Sequence, residues 1–202
     1  MMRFALAFLV MLSTAAAAEA RSYEVDPSRS EFTVLVLRSG LFKFAGHMHE
    51  IAAPLTSGEV LADADHLERS SVRLVFDAAA LRVTGRGEPA EDVPKVQSRM
   101  QGPDVLDVTR YPSIAFAADS LIARRDAAGN CDLRVMGVLN FRGVRRQLAI
   151  PARLQMAGDS LVVTGATSLL QSDFGITPIS VAGLVKVKDE VTITYHIVAH
   201  TR

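Results

Sequence analysis

Most of the chain is a series of short apolar runs separated by turn residues. Alternation of apolar and polar positions, and short runs rich in β-branched residues, are typical of strands. Turns are predicted between them at AAGN (127–130), FRGV (141–144), AGD (157–159) and KDE (188–190). Repeated short strands joined by tight turns indicate an all-β, antiparallel fold. The predicted strands are EFTVLVL (31–37), SSVRLVF (70–76), PSIAFAADSLIA (112–123), CDLRVMGVLNF (131–141), RRQLAIPARLQM (145–156), DSLVVTGATSLL (159–170), AGLVKVK (182–188) and EVTITYHIVA (190–199).

Two of these strands constrain the architecture. In 31–37, Phe32, Val34 and Val36 share one face, and the other face is also apolar beyond Thr33. In 190–199, by contrast, an apolar face alternates with a face of threonines and histidines. A closed barrel with an apolar interior accounts for both patterns, because a strand that is apolar on both faces is covered twice or lines an apolar cavity. A two-sheet sandwich with a dry core fits the same periodicity.

One helix is predicted, within EDVPKVQSRMQGP (91–103). Asp92 is a candidate N-cap, Pro94 lies in the first turn, and Gly102 is followed by a second proline that ends the helix. The expected fold class is therefore an all-β fold with one or two short helices.

The N-terminus has the features of a secretory signal. A single basic residue, Arg3, precedes an apolar run over 4–12 and an A-x-A pattern at Ala18–Ala20. The run is shorter than the roughly 20 residues of a membrane span, so we expect a cleaved signal over 1–20 and no transmembrane segment. The mature chain, 21–202, fits one domain, and its expected location is the periplasm.

Composition excludes several function classes. Lys plus Arg and Asp plus Glu number 22 each, so no basic excess favours nucleic acid. The single cysteine, Cys131, cannot form an internal disulfide, and it is interpreted as a small apolar filler at a strand start. No G-x-S-x-G motif is present, so a Ser–His–Asp hydrolase has no local signature in the sequence.

Four stretches, taken together, resemble a known family. They are YEVDP (23–27) followed by Ser30-x-Phe32, DVLDVTRYPSIAF (104–116), GVLNFRGV (137–144) and SDFGI (172–176). In this order they resemble the YceI-like family of exported bacterial proteins. The resemblance implies an antiparallel eight-stranded lipocalin-like barrel that holds a long isoprenoid lipid in its lumen, without catalysis. The sequence departs from the family pattern at Gln171, where relatives often carry arginine, and in the shortened GLFKFAGHMHE stretch.

We expect an apolar lumen to bind an isoprenoid lipid, or an isoprenoid quinone, with no cofactor required. Ordinary core packing uses the same residue types, so it remains the alternative for each position. A homodimer is compatible with the sequence, and a barrel filled by its own side chains would instead be an interaction module. The candidate lipid-binding residues are Phe32, Val34, Val36, Phe42, Phe44, Ile114, Phe116, Leu139, Phe141, Phe174 and Ile176.

The segment GHMHE (46–50) is the main candidate for chemistry beyond lipid binding. In a strand, His47 and His49 would point to the same face, which is a geometry by which two imidazoles bind one metal ion. A catalytic zinc needs a third ligand from elsewhere, and H-E-x-x-H and related motifs are absent. The alternatives are polar contacts with a ligand head group, or a structural role. A metal-binding protein or metal-dependent enzyme is therefore the alternative function.

Arg142, Arg145 and Arg146 follow one another closely at a predicted hairpin. They could clamp a phosphate at the barrel end, but basic residues at a hairpin more often keep a solvated edge from pairing with other chains.

Overall fold

The alternation of apolar and polar residues corresponds to a continuous antiparallel sheet. The computed structural model describes residues 20–39, 48–63, 66–126, 130–181 and 185–202. One α-helix, α1 (Val93–Gln101), and short 3₁₀ turns at Leu67–Arg69, Ala78–Ala80 and Gln171–Phe174 complete the described part. The strands are β1 (Arg21–Val25), β2 (Glu31–Ser39), β3 (His49–Ala52), β4 (Leu55–Ala62), β5 (Ser71–Asp77), β6 (Arg82–Val83), β7 (Ser113–Arg125), β8 (Cys131–Phe141), β9 (Val144–Ala157), β10 (Ser160–Leu170), β11 (Ser180–Val181) and β12 (Val185–Thr201).

The sheet closes on itself. Its strands follow the order β1-β4-β5-β7-β8-β9-β10-β12-β2-β3-β6, and β1 also pairs with β12. β12 pairs with both β1 and β2. On one half of the wall β1 pairs with β4 and β4 with β5, and on the other half β2 pairs with β3 and β3 with β6. Three barrel strands are thus each built of two segments, and the predicted eight-stranded antiparallel barrel is confirmed. Closure distinguishes it from the two-sheet sandwich.

The last barrel strand differs from the prediction. The charged triplet 188–190 was expected to turn between two strands, yet β12 runs through it, with a register shift between Val187 and Val191. Contacts from the neighbouring 3₁₀ turn explain this, because Gln171 donates to the Lys188 carbonyl and Ser172 donates to the Asp189 carboxylate. That turn prediction is therefore wrong, because a bulge holds the three charged residues within the strand.

The hairpins at 141–144 and 157–160 agree with the predicted turns. Arg142 and Gly143 both have positive φ, as a two-residue hairpin turn requires, and Gly158 has a positive φ in the second turn. The turn predicted at 127–130 and the signal predicted at 1–20 lie largely outside the described residues.

The helix α1 begins and ends close to the predicted bounds. Asp92 is the N-cap residue, but its side chain forms an ion pair with Lys95 and makes no capping hydrogen bond. Gln97 instead extends the sheet, because it accepts from the Val83 N–H and donates to the Leu81 carbonyl. The helix thereby covers the barrel where β6 ends, with Met100 buried.

The two ends of the barrel differ. Near the β9–β10 turn, hereafter the closed end, Tyr23, Leu161 and Ala199 are at most 1% exposed and fill the interior. Cys131 is buried close to them, as expected of an apolar filler. Toward the β8–β9 turn, hereafter the open end, inward residues such as Val36 and Val191 are only half-buried. Among the described residues, the interior is therefore packed more tightly at the closed end than at the open end.

Candidate functional site

A cavity of about 280 Å³ occupies the interior of the barrel. It is bounded by inward residues from every barrel strand, by Met100 of α1, and by residues 105 and 106 after the helix. Its volume lies just below the range of about 300–1,000 Å³ that is usual for small-molecule sites. Toward the open end the cavity is lined by half-buried residues such as Val36 and Val191.

The chemistry of the cavity wall is almost wholly apolar. Among the described residues that line it, only Ser70, Thr167, Gln171 and Tyr195 carry polar side-chain atoms, and none carries a charge. A wall of this kind cannot compensate the free energy that an ionic group loses when it leaves water, whereas the burial of a hydrocarbon in it is favourable. The arrangement is therefore suited to an apolar chain and not to a charged substrate.

The structure brings together eight of the residues predicted to bind lipid. All eight line the cavity, from β2, β7, β8 and the segment after the last 3₁₀ turn. Phe42, Phe44 and His47 lie outside the described residues. The eight are Phe32, Val34, Val36, Ile114, Phe116, Leu139, Phe141 and Ile176.

Phe174 has a different position from the one expected. It is 1% exposed and contacts Phe141 from behind, with 5.3 Å between the ring centroids, and it does not line the main cavity. The loop prediction placed it with Ile176, but the 3₁₀ turn rotates the two side chains to different sides. It borders a smaller pocket of about 180 Å³ instead.

The sequence reading missed much of the wall. Val72, Leu74 and Phe76 of β5, and Leu148 and Ile150 of β9, line the cavity as fully as the predicted residues. Their period-2 alternation was visible in the predicted strands, so the signal existed. Met100 and Leu106 had no such signal, because their place depends on how α1 packs against the barrel.

Tyr195 is the aromatic residue that carries a polar group among the described residues of the cavity wall. Its ring lies 6.4 Å from that of Phe32, and its hydroxyl donates to the Pro151 carbonyl on β9. Burial raises the pKa of the Tyr195 phenol to about 12, because the phenolate would lose its hydration. The phenol is therefore neutral at physiological pH.

His49 lies at the rim of the cavity. It is opposite Val36 in the β2–β3 register, and its Nδ1 is 2.9 Å from Oε1 of Glu88, whose side chain is 1% exposed. The contact has the distance of an ion pair, but neither of these two atoms has a partner with the geometry of a hydrogen bond within the described residues. The neighbouring Glu50 accepts from Thr84 and pairs with Arg86. The structure thus gives His49 an acidic partner at the rim, while its role in binding a head group or metal stays a prediction.

The described residues contain no group of three His, Cys, Asp or Glu side chains arranged to hold a metal ion. The Ser172 hydroxyl donates to Asp189, 2.5 Å away, and its N–H donates to the same carboxylate. These two hydrogen bonds hold the pKa of Asp189 below its usual range. Ser172 therefore fixes the 3₁₀ turn against β12.

The sequence favours a solvated edge for the arginines at the β8–β9 hairpin, whereas in the structure two of them connect loops through hydrogen bonds to backbone carbonyls. Arg142 donates to the carbonyls of Gly175 and Pro103, and Arg146 donates to the Asp173 carbonyl. The open end is therefore partly held by guanidinium bonds to backbone carbonyls.

Comparison with known proteins gives a consistent result. A family model described as the YceI-like domain matches residues 23–199. No curated protein matches the chain. In the described part of the chain no helix has the length and hydropathy to cross a bilayer.

Several solved structures share the fold at low sequence identity. BcnA of Burkholderia cenocepacia is 20% identical, with a TM-score of 0.65 over 86% of this chain and 98% of that protein. A polyisoprenoid binding domain from Saccharophagus degradans is 12% identical, with a TM-score of 0.67 over 90% and 99%. A YCEI protein of Campylobacter jejuni is 12% identical, with a TM-score of 0.52 over 100% and 99%.

Proposed function

Because the chain belongs to the family of YceI-like domains, we propose that it binds a long-chain isoprenoid lipid in the barrel cavity and carries or sequesters it. The observation that carries the proposal is the cavity wall, which has four polar side chains and no charged one among its described residues. The binding of lipid requires neither a cofactor nor catalysis, and the lipid is an isoprenoid with or without a quinone head.

The binding energy available in such a cavity is sufficient. Each buried methylene contributes about 0.8 kcal/mol, so a five-carbon isoprene unit contributes roughly 3–4 kcal/mol. Three or four units would supply a gross of about 10–15 kcal/mol. With the lowest association cost of about 4 kcal/mol, roughly 6–11 kcal/mol remains, which corresponds to an affinity between tens of micromolar and about 10 nM. Tyr195, neutral because of its raised pKa, adds no charge that would oppose the entry of a hydrocarbon chain.

The structural neighbour from Saccharophagus degradans, described as a polyisoprenoid binding domain, supports the proposed class of ligand. The A-x-A signal pattern at Ala18–Ala20 supports export to the periplasm, where a carrier of membrane-derived lipid would act.

Native mass spectrometry of the full chain, expressed in a bacterial host and purified from the periplasm, tests the proposal. We expect a mass excess that organic extraction removes, identified as an isoprenoid by fragmentation, and restored by addition of a C20 prenol. Export is read in the same experiment from the mass of the mature chain. A protein that carries no organic mass and takes up no prenol after extraction would contradict the proposal.

A further inference from the structure

The barrel wall is open between β9 and β10 over half their length. The two strands pair from Ala157↔Ser160 to Arg153↔Thr164, and no pairing joins them beyond that point. Elsewhere each strand remains fully paired, since β9 follows β8 to Val144 and β10 follows β12 to Leu170. The gap therefore lies within the wall itself, on the side of the open end.

Specific side chains lie where the pairing of the two strands ends. The Tyr195 hydroxyl donates to the Pro151 carbonyl on β9, just beyond the last paired residues. Its ring passes over Gly165, and a Cβ at that position would lie 2.6 Å from Cζ of the tyrosine. Farther along, the buried Phe174 inserts beside the gap, and Arg146 ties the 3₁₀ turn of Phe174 to β9. The opening is thus built by particular residues and is not a frayed edge.

A pocket of about 180 Å³ fills the gap. Leu148 and Leu169 border both this pocket and the main cavity, so the two spaces share a wall of apolar residues. Gln147 and Ser168, their neighbours in sequence, face outward and line the outer part of the pocket. The pocket therefore lies beside the apolar lumen, separated from it by Leu148 and Leu169 where no strand pairing closes the wall, and it presents polar side chains at the surface; we call it the side pocket.

We propose that the side pocket binds the polar end of the lipid whose chain fills the lumen, and that this end is an uncharged oxygen group such as a hydroxyl or a quinone carbonyl. This inference rests on the proposed function. The amide of Gln147 and the hydroxyl of Ser168 both donate and accept hydrogen bonds, which suits such a group.

The charges around the side pocket disfavour an anionic head. The charged side chains among its described lining residues are one guanidinium, that of Arg146, and two carboxylates, those of Asp173 and Glu190. A phosphate would therefore enter a site with an excess of negative charge, and like charges at close range oppose binding. A neutral head group is not repelled by the two carboxylates.

Fluorescence quenching locates the head group, because the chain contains no tryptophan. We would compare the exposed reporter Leu170→Trp, at the edge of the side pocket, with Val162→Trp on the same strand, about 26 Å away at the closed end. Phe76→Trp reports on the lumen, with Phe116→Trp as a second reporter if the first does not fold. The probes are C20 isoprenoids that carry a nitroxide either on a neutral amide head or at the tail.

The head-labelled probe is expected to quench Leu170→Trp at least fivefold more than Val162→Trp, while the tail-labelled probe quenches the lumen reporter. Lumen quenching without a head-group effect at Leu170→Trp, or equal quenching at both β10 reporters, would overturn the side pocket and leave the proposed function standing. Absence of quenching at both lumen reporters would overturn both.

Competition then tests the preference for a neutral head. We expect geranylgeraniol to displace the probe at a concentration about tenfold lower than geranylgeranyl phosphate, a ratio typical of one unfavourable charge contact. The double variant Asp173→Asn/Glu190→Gln should abolish this ratio without weakening binding of the alcohol. Equal or tighter binding of the phosphate by the native chain would overturn the assignment of a neutral head.

Discussion

A larger side chain at an inward position of β10 should weaken lipid binding, and the same substitution at the neighbouring outward position is a matched control. Val163 of β10 lines the cavity, while Val162 faces outward, and both side chains are half-buried. Val163 is opposite Leu154 and Ile197 in the two flanking registers, and both of these also line the cavity. The substitution Val163→Phe therefore places a ring in the middle of the proposed binding space, whereas Val162→Phe places it outside.

The magnitude follows from the volume that the lipid loses. Phenylalanine adds about four carbon atoms, close to one isoprene unit, so the lipid forfeits about 3 kcal/mol of burial at ~0.8 kcal/mol per carbon. This loss corresponds to a roughly hundredfold weaker affinity. In a cavity of about 280 Å³, few other positions remain for the displaced unit. We expect Val162→Phe to bind within about threefold of the native chain, because outward substitutions leave the cavity unchanged.

Displacement of an environment-sensitive lipid probe by a C20 prenol measures both affinities. Overpacking can cost about 1–3 kcal/mol of stability, so thermal unfolding of the two variants must show that both remain folded at the assay temperature. Native affinity in a folded Val163→Phe protein, or an equal loss in Val162→Phe, would refute the assignment of the cavity as the lipid site.

Three further predictions concern stability. The pKa of Tyr195 is raised to about 12 from an ordinary value of 10.0, so the folded state keeps this proton to higher pH than the unfolded state does. The stability that this difference contributes is fully present below pH 10 and is lost as the pH rises toward 12. In denaturant unfolding, Tyr195→Phe should therefore lose stability less steeply with alkaline pH than the native chain, and an equal slope would refute this. The pKa of Asp189 is lower in the folded chain than the ordinary value of 3.8, so the ionised carboxylate stabilises the fold above pH 3.8. This stabilisation is lost as the pH falls through the pKa of the folded state. The melting temperatures of Asp189→Asn and the native chain should therefore differ at neutral pH and converge in acid. Gln97→Ala should lose about 1–3 kcal/mol in chemical denaturation, more than Gln101→Ala, which loses one exposed hydrogen bond; equal losses would contradict a sheet-extending role for Gln97.

The residues that face the interior on the longest strands could be predicted from the sequence. Side chains alternate between the two faces of a strand, so once one face is polar the apolar residues must form the inward face. In β12, Val191, Ile193 and Ile197 alternate with threonines and histidines, and they line the cavity as one apolar face. The same rule failed for β4, which was not predicted. Gly58 interrupts its alternation, and the structure explains the glycine, since a Cβ there would lie 2.8 Å from the Val25 side chain.

Partners across the barrel were not predictable, because strand periodicity specifies a face and not a neighbour. The tie between Gln171 and the Lys188 carbonyl, which keeps the charged triplet inside β12, joins residues 17 positions apart. A local reading of 188–190 finds only charged residues of the kind that make turns. The error thus arises from a tertiary contact that overrides the local signal.

The gap between β9 and β10 has the same origin, and it shows how the site depends on one residue. Tyr195 occupies an inward position of a regular alternation, so its pattern predicts only a wall residue. Yet its ring needs the bare backbone of Gly165, and its hydroxyl uses the Pro151 carbonyl on the next strand but one. The phenol therefore reaches across β10 to the Pro151 carbonyl, at the place where the β9–β10 pairing ends. The same side chain lines the lumen, so a substitution that lets β10 pair fully with β9 should close the side pocket while leaving the lumen in place.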